Sequence, residues 1–578
     1  MYIFKNKFSS ENFIIEREKN KTAEMYMNMI NESCGELDKE PLTALPFSLF
    51  RLHDEIGDRI QYENVYYVRR RKLISYVLKL WIDNDSSYVS KIEDILWAIC
   101  DEYSWAVPGH LGGCLSKDVS PYVIDLFVAE TGSAIAETLS LVGDKIADIV
   151  KKRCISEVFK RIIEPFETGD IDKYRLGWMN VKTNWSAVCA GSVGMASLYL
   201  IEDEKRLRSI IEKCISISNK FIDSCTSDGV CLEGLEYWCY AMDFYTSFND
   251  LCEDRLGISI VLDKEKVRKI SEYPLVACID ENRYLPFSDS WDGPPGLHFG
   301  TLSSFNKMFG TMLPGEEYFK SFLDFTGRFC SAVRIIAYFD SSLFGCGKNE
   351  TDVFLPEAQW GIIQKNNAFF AVKGGNNDEP HNHNDIGSFI YMKNGQTLLF
   401  DLGAPLYDRD YFSDKRYSYF NACSKGHSVP IVNNSFQMPG KEYKADSFEK
   451  AENGISIQMK SAYDKKALLD KLERKFILKD SGELHIVDFF KFSDEKNSVV
   501  ERLITKRSAE IDGNKIFIYD DNKTILGEVI IPDGCRPKIG YEKIKKRVND
   551  SIGYALVTVI DFLFDSAGES LCTEIIIR

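Results

Sequence analysis

The sequence predicts a multidomain α + β chain, with an all-helical N-terminal part followed by a C-terminal antiparallel β-sandwich. Apolar residues recur at helical spacing up to about residue 340. Beyond that point, short apolar runs are broken by Gly, Asn and Asp, as in successive strands. A run of helices followed by a run of strands points to separate domains rather than alternating βα units.

In the stretch 124–142, Ile124, Phe127, Ile135, Leu139 and Val142 fall at helical spacing, and Leu207, Ile210, Ile211, Cys214 and Phe221 do the same over 204–222. Similar patterns cover 64–83, 145–163, 185–201, 234–252 and 264–278. No fixed-period repeat is present, which argues against a helical solenoid of the TPR kind. Antiparallel helix pairs stacked into an arc or toroid fit better. The Gly- and polar-rich segment 341–353, SSLFGCGKNETDV, reads as the link, giving domains at 1–345 and 346–578. After it, Asn394-Gly395 sits between two strand-like runs in SFIYMKNGQTLLFDLG, the strongest short hairpin signal. ELHIVDFFKF, NKIFIYDD, GYALVTVIDFLF and CTEIIIR carry the strand character to the end.

The 578 residues are 44 % hydrophobic and 27 % charged, which excludes a mainly disordered chain. Lys and Arg number 71 against 87 Asp and Glu, a formal charge of −16. That balance argues against a general nucleic-acid or membrane-surface binder. It leaves room for a polyanionic substrate held in a local basic or hydrogen-bonding cleft. The start, MYIFKNKFSSENF, has charges interrupting every apolar stretch, and no run approaches the roughly 18 apolar residues of a membrane span. The 16 cysteines include no C-x-x-C pair, so the expectation is a reduced, cytoplasmic protein. Cys189, Cys214 and Cys239 lie in apolar helical patterns and read as small buried hydrophobes.

Three of the seven histidines fall at His381, His383 and His427. On an extended segment His381 and His383 would share one face. Asp401 follows at the end of the next strand-like run, and His383, Asp401 and His427 together would suit a zinc-like ion with an open fourth position. Surface histidines in a polar loop are the competing reading. In the helical part Asn184, beside Trp185, opens an apolar helix, where Asn most often serves as a cap. Glu233, Glu236, Tyr237 and Tyr240 follow an Asp228-Gly229 turn, and ordinary aromatic helix packing accounts for them equally. Asp289 and Asp292 sit in a Pro/Gly loop, YLPFSDSWDGPPG.

Taken together, these segments resemble the heparinase II/III family of polysaccharide lyases. The resemblance runs through W-x-x-P-x-H at Trp105–His110, N-W at Asn184–Trp185, D-G…E-x-x-x-Y from Asp228 to Tyr237, and P-x-x-D at Pro286–Asp289. It continues through H-x-H-x-D-x-x-S-F at His381–Phe389, D-x-G at Asp401–Gly403 and the histidine of GHSVPIVNNSFQ. The order of the motifs, split between a helical and a β half, is specific. The resemblance implies an incomplete (α/α) toroid joined to an antiparallel β-sandwich. It implies Asn184 as the contact to a substrate carboxylate, Tyr237 and His381 as catalytic, and His383, Asp401 and His427 as ligands of a structural divalent metal, Zn2+ first. His110, Trp185, Glu233 and Asp289, inside the matched motifs, are expected substrate contacts. Another active-site tyrosine falls among Tyr407, Tyr411, Tyr417 and Tyr419. Around His427 the chain departs from the commoner R-x-T-x-x-H-N pattern, with Asn421, Cys423 and Ser428 instead.

The implied reaction is β-elimination across a 4-linked uronic acid, with glycosaminoglycans first and alginate second as substrates. A homodimer is compatible with the resemblance. Two other readings compete. A glycoside hydrolase would need an acid–base carboxylate pair, for which Glu233, Glu236, Asp289 and Asp292 are candidates. A non-catalytic carbohydrate-binding homologue would be expected to have lost some of the key polar positions.

Overall fold

The computed structural model describes residues 2–112, 121–291, 293–345, 352–548 and 551–578. They form two compact units, the first made of Met1–Cys225, Leu235–Tyr284 and Gly293–Lys348, the second of Thr226–Gly234, Leu285–Asp292 and Asn349–Arg578. Two short loops that precede the expected division at 345/346 group with the β unit. The expected junction itself adjoins residues 346–351, outside the described residues.

The first unit is helical. The expected patterns correspond to helices Ile60–Asp83, Leu126–Val142, Asp148–Val158, Asn184–Leu200, Glu204–Ser224, Leu235–Leu256 and Lys264–Ala277. Four further long helices, Lys21–Leu37, Val89–Cys100, Phe299–Phe309 and Phe329–Ala337, complete the packing. Asn184–Leu200 is the central helix, packed against Leu126–Val142, Glu204–Ser224 and Leu235–Leu256. Its run of Ala, Gly, Ser and Cys has no polar face, as a helix buried all round requires. Small residues let its neighbours approach. A Cβ on Gly191 would sit 3.0 Å from the Phe244 carbonyl oxygen, and one on Gly194 would sit 2.3 Å from the Phe248 ring. The paired numbers rise together, so these two helices run in the same direction.

The second unit is antiparallel throughout. A five-stranded meander runs Val353–Leu355, Trp360–Lys365, Ala368–Lys373, Phe389–Lys393, Gln396–Leu399. Its last hairpin turns at Asn394 and Gly395, both at positive φ, as the sequence predicts. An eight-stranded sheet is ordered Ser447–Ala451, Gly454–Gln458, Leu469–Leu478, Leu484–Phe492, Ser570–Ile577, Ile525–Ile530, Lys515–Tyr519, Ser508–Asp512. A four-stranded sheet holds Arg536–Val548, Ser551–Phe564, Val499–Thr505 and Ile431–Val432. One core joins them, with Phe370 and Phe389 from the meander, Phe476 and Phe490 from the large sheet, and Ile560 and Phe562 from the third. Alternating burial along Leu469–Leu478 is the signature of strands with one wet face.

These are the layers of a helical toroid class followed by an antiparallel sandwich class. Among the described residues no helix is long and apolar enough to cross a membrane. Cys189, Cys214 and Cys239 are buried free thiols.

Candidate active site

In the β unit, one carboxylate organises the candidate chemistry. Asp289 is 0 % exposed. Its Oδ2 accepts from Nδ1 of His381 at 2.8 Å and from Nη2 of Arg416 at 2.9 Å. Its Oδ1 accepts from Nε2 of His383 at 3.0 Å and from the Tyr411 hydroxyl. Burial alone would push this carboxyl up, but the hydrogen bonds and charge of His381 and His383 hold it well below the usual carboxylate range. An ionised Asp289 can only accept, so both histidines donate to it. In its neutral form His381 then has Nε2 as its unprotonated nitrogen, 3.5 Å from Oε2 of Glu233, and neutral His383 has Nδ1.

The Asp289 loop is fixed by backbone contacts. The Ala404 amide donates to the Ser290 carbonyl at 2.7 Å. Gly403, at φ +63°, permits that approach, because a Cβ there would lie 2.2 Å from the same oxygen. His381 sits in a turn at φ +58°, not on a strand. The extended H-x-H expected from the sequence is thus corrected. The two imidazoles still converge, because the turn aims both at Asp289.

Beyond His383 lies a buried ligand set. Donor atoms of His383, Asp401 and His427 all lie within 4.8 Å of one another, and each residue is buried. Nδ1 of His383 has no hydrogen-bond partner although it is buried. His427 donates Nε2–H to the Asn421 carbonyl at 2.7 Å, which leaves Nδ1 facing Oδ2 of Asp401 at 3.1 Å. Burial disfavours charge on both partners, yet their mutual attraction lowers Asp401 and raises His427 from their ordinary values. Two imidazole lone pairs and a carboxylate oxygen converging in a buried space fit a divalent cation. Each imidazole has its other nitrogen tied down, the usual outer support of a metal-binding histidine. The departures around His427 take part in this support. Asn421 supplies the carbonyl and also donates Nδ2–H to the Gly403 carbonyl at 3.0 Å, while Ser428 Oγ accepts the Ile504 amide at 3.0 Å.

Glu233, 2 % exposed, places Oε2 3.5 Å from Nε2 of His381. Asp289 is a different case from the substrate contact expected of it. Its carboxylate is fully buried and occupied by four side chains, so it can hold histidines but not a sugar. Of the four candidate tyrosines, Tyr411 binds Asp289, and Tyr417 donates to Oδ1 of Asn382 at 2.9 Å. Tyr419 donates to Asp408, whereas Tyr407 stacks on Tyr411 at 5.3 Å and meets Trp291 edge-on at 5.2 Å. Arg416, which also donates to the Asn382 carbonyl at 3.0 Å and lies over the Tyr411 ring, was not legible in the sequence. Its only signal is a cation set among those tyrosines.

In the helical unit, Asn184 is the first residue of its helix and 1 % exposed, while Thr183 takes the cap position. Tyr237 is the third residue of Leu235–Leu256 and half-buried. Each precedes the Gly191–Phe244 contact by about two turns. With the helices running in the same direction, both residues lie at the same end of the pair. Nδ1 of His110 donates to Asp125 Oδ2 at 2.8 Å, and Oδ1 of Asp125 caps the next helix through the Val128 amide. The His110 ring stacks on Phe127 at 5.4 Å and tilts against Trp185 at 5.1 Å, next to Asn184.

No family model matches the chain, and no curated protein matches it. Solved structures do. A heparinase III crystal structure aligns at TM-score 0.62 and 13 % identity, over 90 % of this chain and 77 % of its own. The fold is that of the heparinase-type lyases. The heparan sulfate lyase of Pedobacter heparinus aligns at TM-score 0.56 and 13 % identity, covering 99 % of this chain and 91 % of that one. The chondroitin AC lyase of Streptomyces coelicolor A3, in complex with chondroitin sulphate, aligns at TM-score 0.53 and 8 % identity, over 98 % and 82 %. At such identities the likeness is one of architecture.

Proposed function

We propose that the protein is a polysaccharide lyase that cleaves 4-linked uronate glycans by β-elimination, leaving a 4,5-unsaturated uronate end. The observation that carries this reading is His381, whose Nδ1–H is held by Asp289 so that Nε2 is its basic nitrogen. The C5 proton of a uronate is poorly acidic, because its removal puts charge on the adjacent carboxylate. Asn184, a neutral donor, hydrogen-bonds that carboxylate and stabilises the enolate-like state. Tyr237 or His381 takes the C5 proton, according to the configuration at C5, and Tyr237 protonates the leaving glycosidic oxygen. His383, Asp401 and His427 would hold a divalent metal, Zn2+ first, whose charge would order the turn that carries His381. His110 and Trp185 contact the sugar, with Glu233 beside the base. Glycosaminoglycans are the first substrate class and alginate the second, acted on in the cytoplasm.

Two of the four carboxylates that a hydrolase would draw on are already engaged. Asp289 is consumed by His381, His383, Tyr411 and Arg416, and Glu236 accepts the Tyr284 hydroxyl. Asp292 lies outside the described residues.

The test is incubation with chondroitin, hyaluronan, heparan and alginate fragments while following ultraviolet absorbance from the new C4–C5 double bond. Absorbance growth on at least one polymer is expected. Reducing-sugar release without absorbance would favour a hydrolase, and binding without turnover would favour a carbohydrate-binding homologue.

A further inference from the structure

We infer that Asp289 is a positioning residue that sets the tautomers of His381 and His383 together, making the ligand set and the base one mechanical unit. For the role of His381 as base, the inference rests on the lyase reading; for the two tautomers it does not. Nδ1–H of His381 and Nε2–H of His383 are directed at different oxygens of one carboxylate, at 2.8 and 3.0 Å. The remaining acceptor capacity is taken by Arg416 on Oδ2 and Tyr411 on Oδ1. Ser288 and His381, at φ +64° and +58°, both hold a left-handed backbone that costs free energy in a non-glycine residue. Such strain persists only where surrounding contacts determine it. Here the Ala404 amide on the Ser290 carbonyl ties the Asp289 loop to the segment that carries Asp401. The chain of constraint is therefore short. His383 would be held by a cation at Nδ1; its Nε2–H fixes Oδ1 of Asp289, and the other oxygen of the same carboxylate fixes His381 through Nδ1, leaving Nε2 as the acceptor of the neutral ring.

The isosteric change Asp289→Asn separates this role from a merely structural one. An amide offers one acceptor oxygen and one NH2 donor, so it cannot accept from both histidines. One imidazole must reverse. If His381 reverses, its proton moves to Nε2 and the base is lost. If His383 reverses, its proton occupies the ligand nitrogen. The proposal expects 15N spectra of the histidine rings of the full chain to show His381 protonated on Nδ1 and His383 on Nε2, and one of the two to change in Asp289→Asn. It also expects kcat to fall roughly 10²–10⁴-fold with KM within about threefold, or Zn2+ affinity to fall about 10–100-fold. Wild-type His381 protonated on Nε2 would overturn the inference without any variant. So would an Asp289→Asn protein with unchanged kcat and unchanged Zn2+ affinity. If the wild type turns over no uronate polymer, the lyase reading fails, while the ring spectra and Zn2+ titration still decide the role of Asp289.

Discussion

His427 gives its Nε2–H to the carbonyl of Asn421 at 2.7 Å, and that single bond decides which nitrogen faces Asp401. Two acceptors 3.1 Å apart, Nδ1 of His427 and Oδ2 of Asp401, need a positive charge between or on them. A proton on His427 would satisfy the pair, but it leaves buried Nδ1 of His383 unpaired. A cation satisfies all three. Elemental analysis of the purified protein is expected to find one divalent ion per chain, and His383→Ala to lose it. A metal content that survives His383→Ala would refute the ligand assignment. Chelation is expected to lower the melting temperature of the intact protein, since a ligand that binds only the folded state stabilises it by mass action.

Asn184 and Tyr237 are matched in position along two co-directional helices, and the predictions for them differ in kind. Asn184→Ala removes a neutral donor that acts on developing charge, so kcat is expected to drop by about 10²–10³ with little change in KM. Tyr237→Phe removes the proton donor to the leaving oxygen, and turnover on polymer is expected to disappear. Steady-state absorbance assays on one uronate polymer measure both. Full retention of activity in Tyr237→Phe would sink its assigned role.

Periodicity made the helices and the Asn394-Gly395 hairpin legible, because both signals are local. The candidate site was legible only in part. The residues His381, His383, Asp401 and His427 stand out as rare side chains in a polar setting. Asp289 stands out in its Pro/Gly loop as well, but its pairing with the histidines does not, since it lies 92 residues from His381. The left-handed turn at His381 was also hidden, because strain of this kind is imposed by tertiary contacts rather than by local propensity. The transfer of Thr226–Gly234 and Leu285–Asp292 to the β unit has the same origin. Composition marks these segments as loops but does not say which core they join.

A buried pair in the helical unit gives a pH dependence of defined sign. Nδ1 of His298 donates to Oδ2 of Asp243 at 2.6 Å, with His298 6 % and Asp243 1 % exposed. Burial disfavours the imidazolium, but the Asp243 carboxylate outweighs it and raises the His298 pKa. A histidine with a raised folded pKa contributes stability that is fully present below its unfolded value, about 6.5, and lost as pH rises through the folded value. His298→Asn is therefore expected to destabilise most at pH 5.5, by about 3 kcal/mol, and progressively less at higher pH. Calorimetric melts of both proteins across pH 5.5 to 9 test this. A constant difference would mean that the pair carries no charge-dependent stability.

Arg474 joins the sandwich core to the backbone of the site. Its Nη1 donates to the carbonyls of Ser428 at 2.7 Å and Gly387 at 3.2 Å, the residues next to His427 and just past the His383 turn. Its Nε and Nη2 bind Asp488, and Nη2 also reaches Glu501 at 3.0 Å. Burial pushes Glu501 well up and so favours its protonated form, which lowers the charge the arginine must balance. Arg474→Met keeps much of the volume but leaves Asp488 buried without its cation, a change expected to cost about 3–5 kcal/mol. It also releases the two carbonyls that anchor the ligand segments, so Zn2+ affinity is expected to fall with stability. The double change Arg474→Met with Asp488→Leu removes the orphaned charge and should recover most of the stability. Affinity should not recover with it, because Ser428 and Gly387 remain without their donor. Recovery of both in a Zn2+ titration and a melt would show that Arg474 serves the core alone.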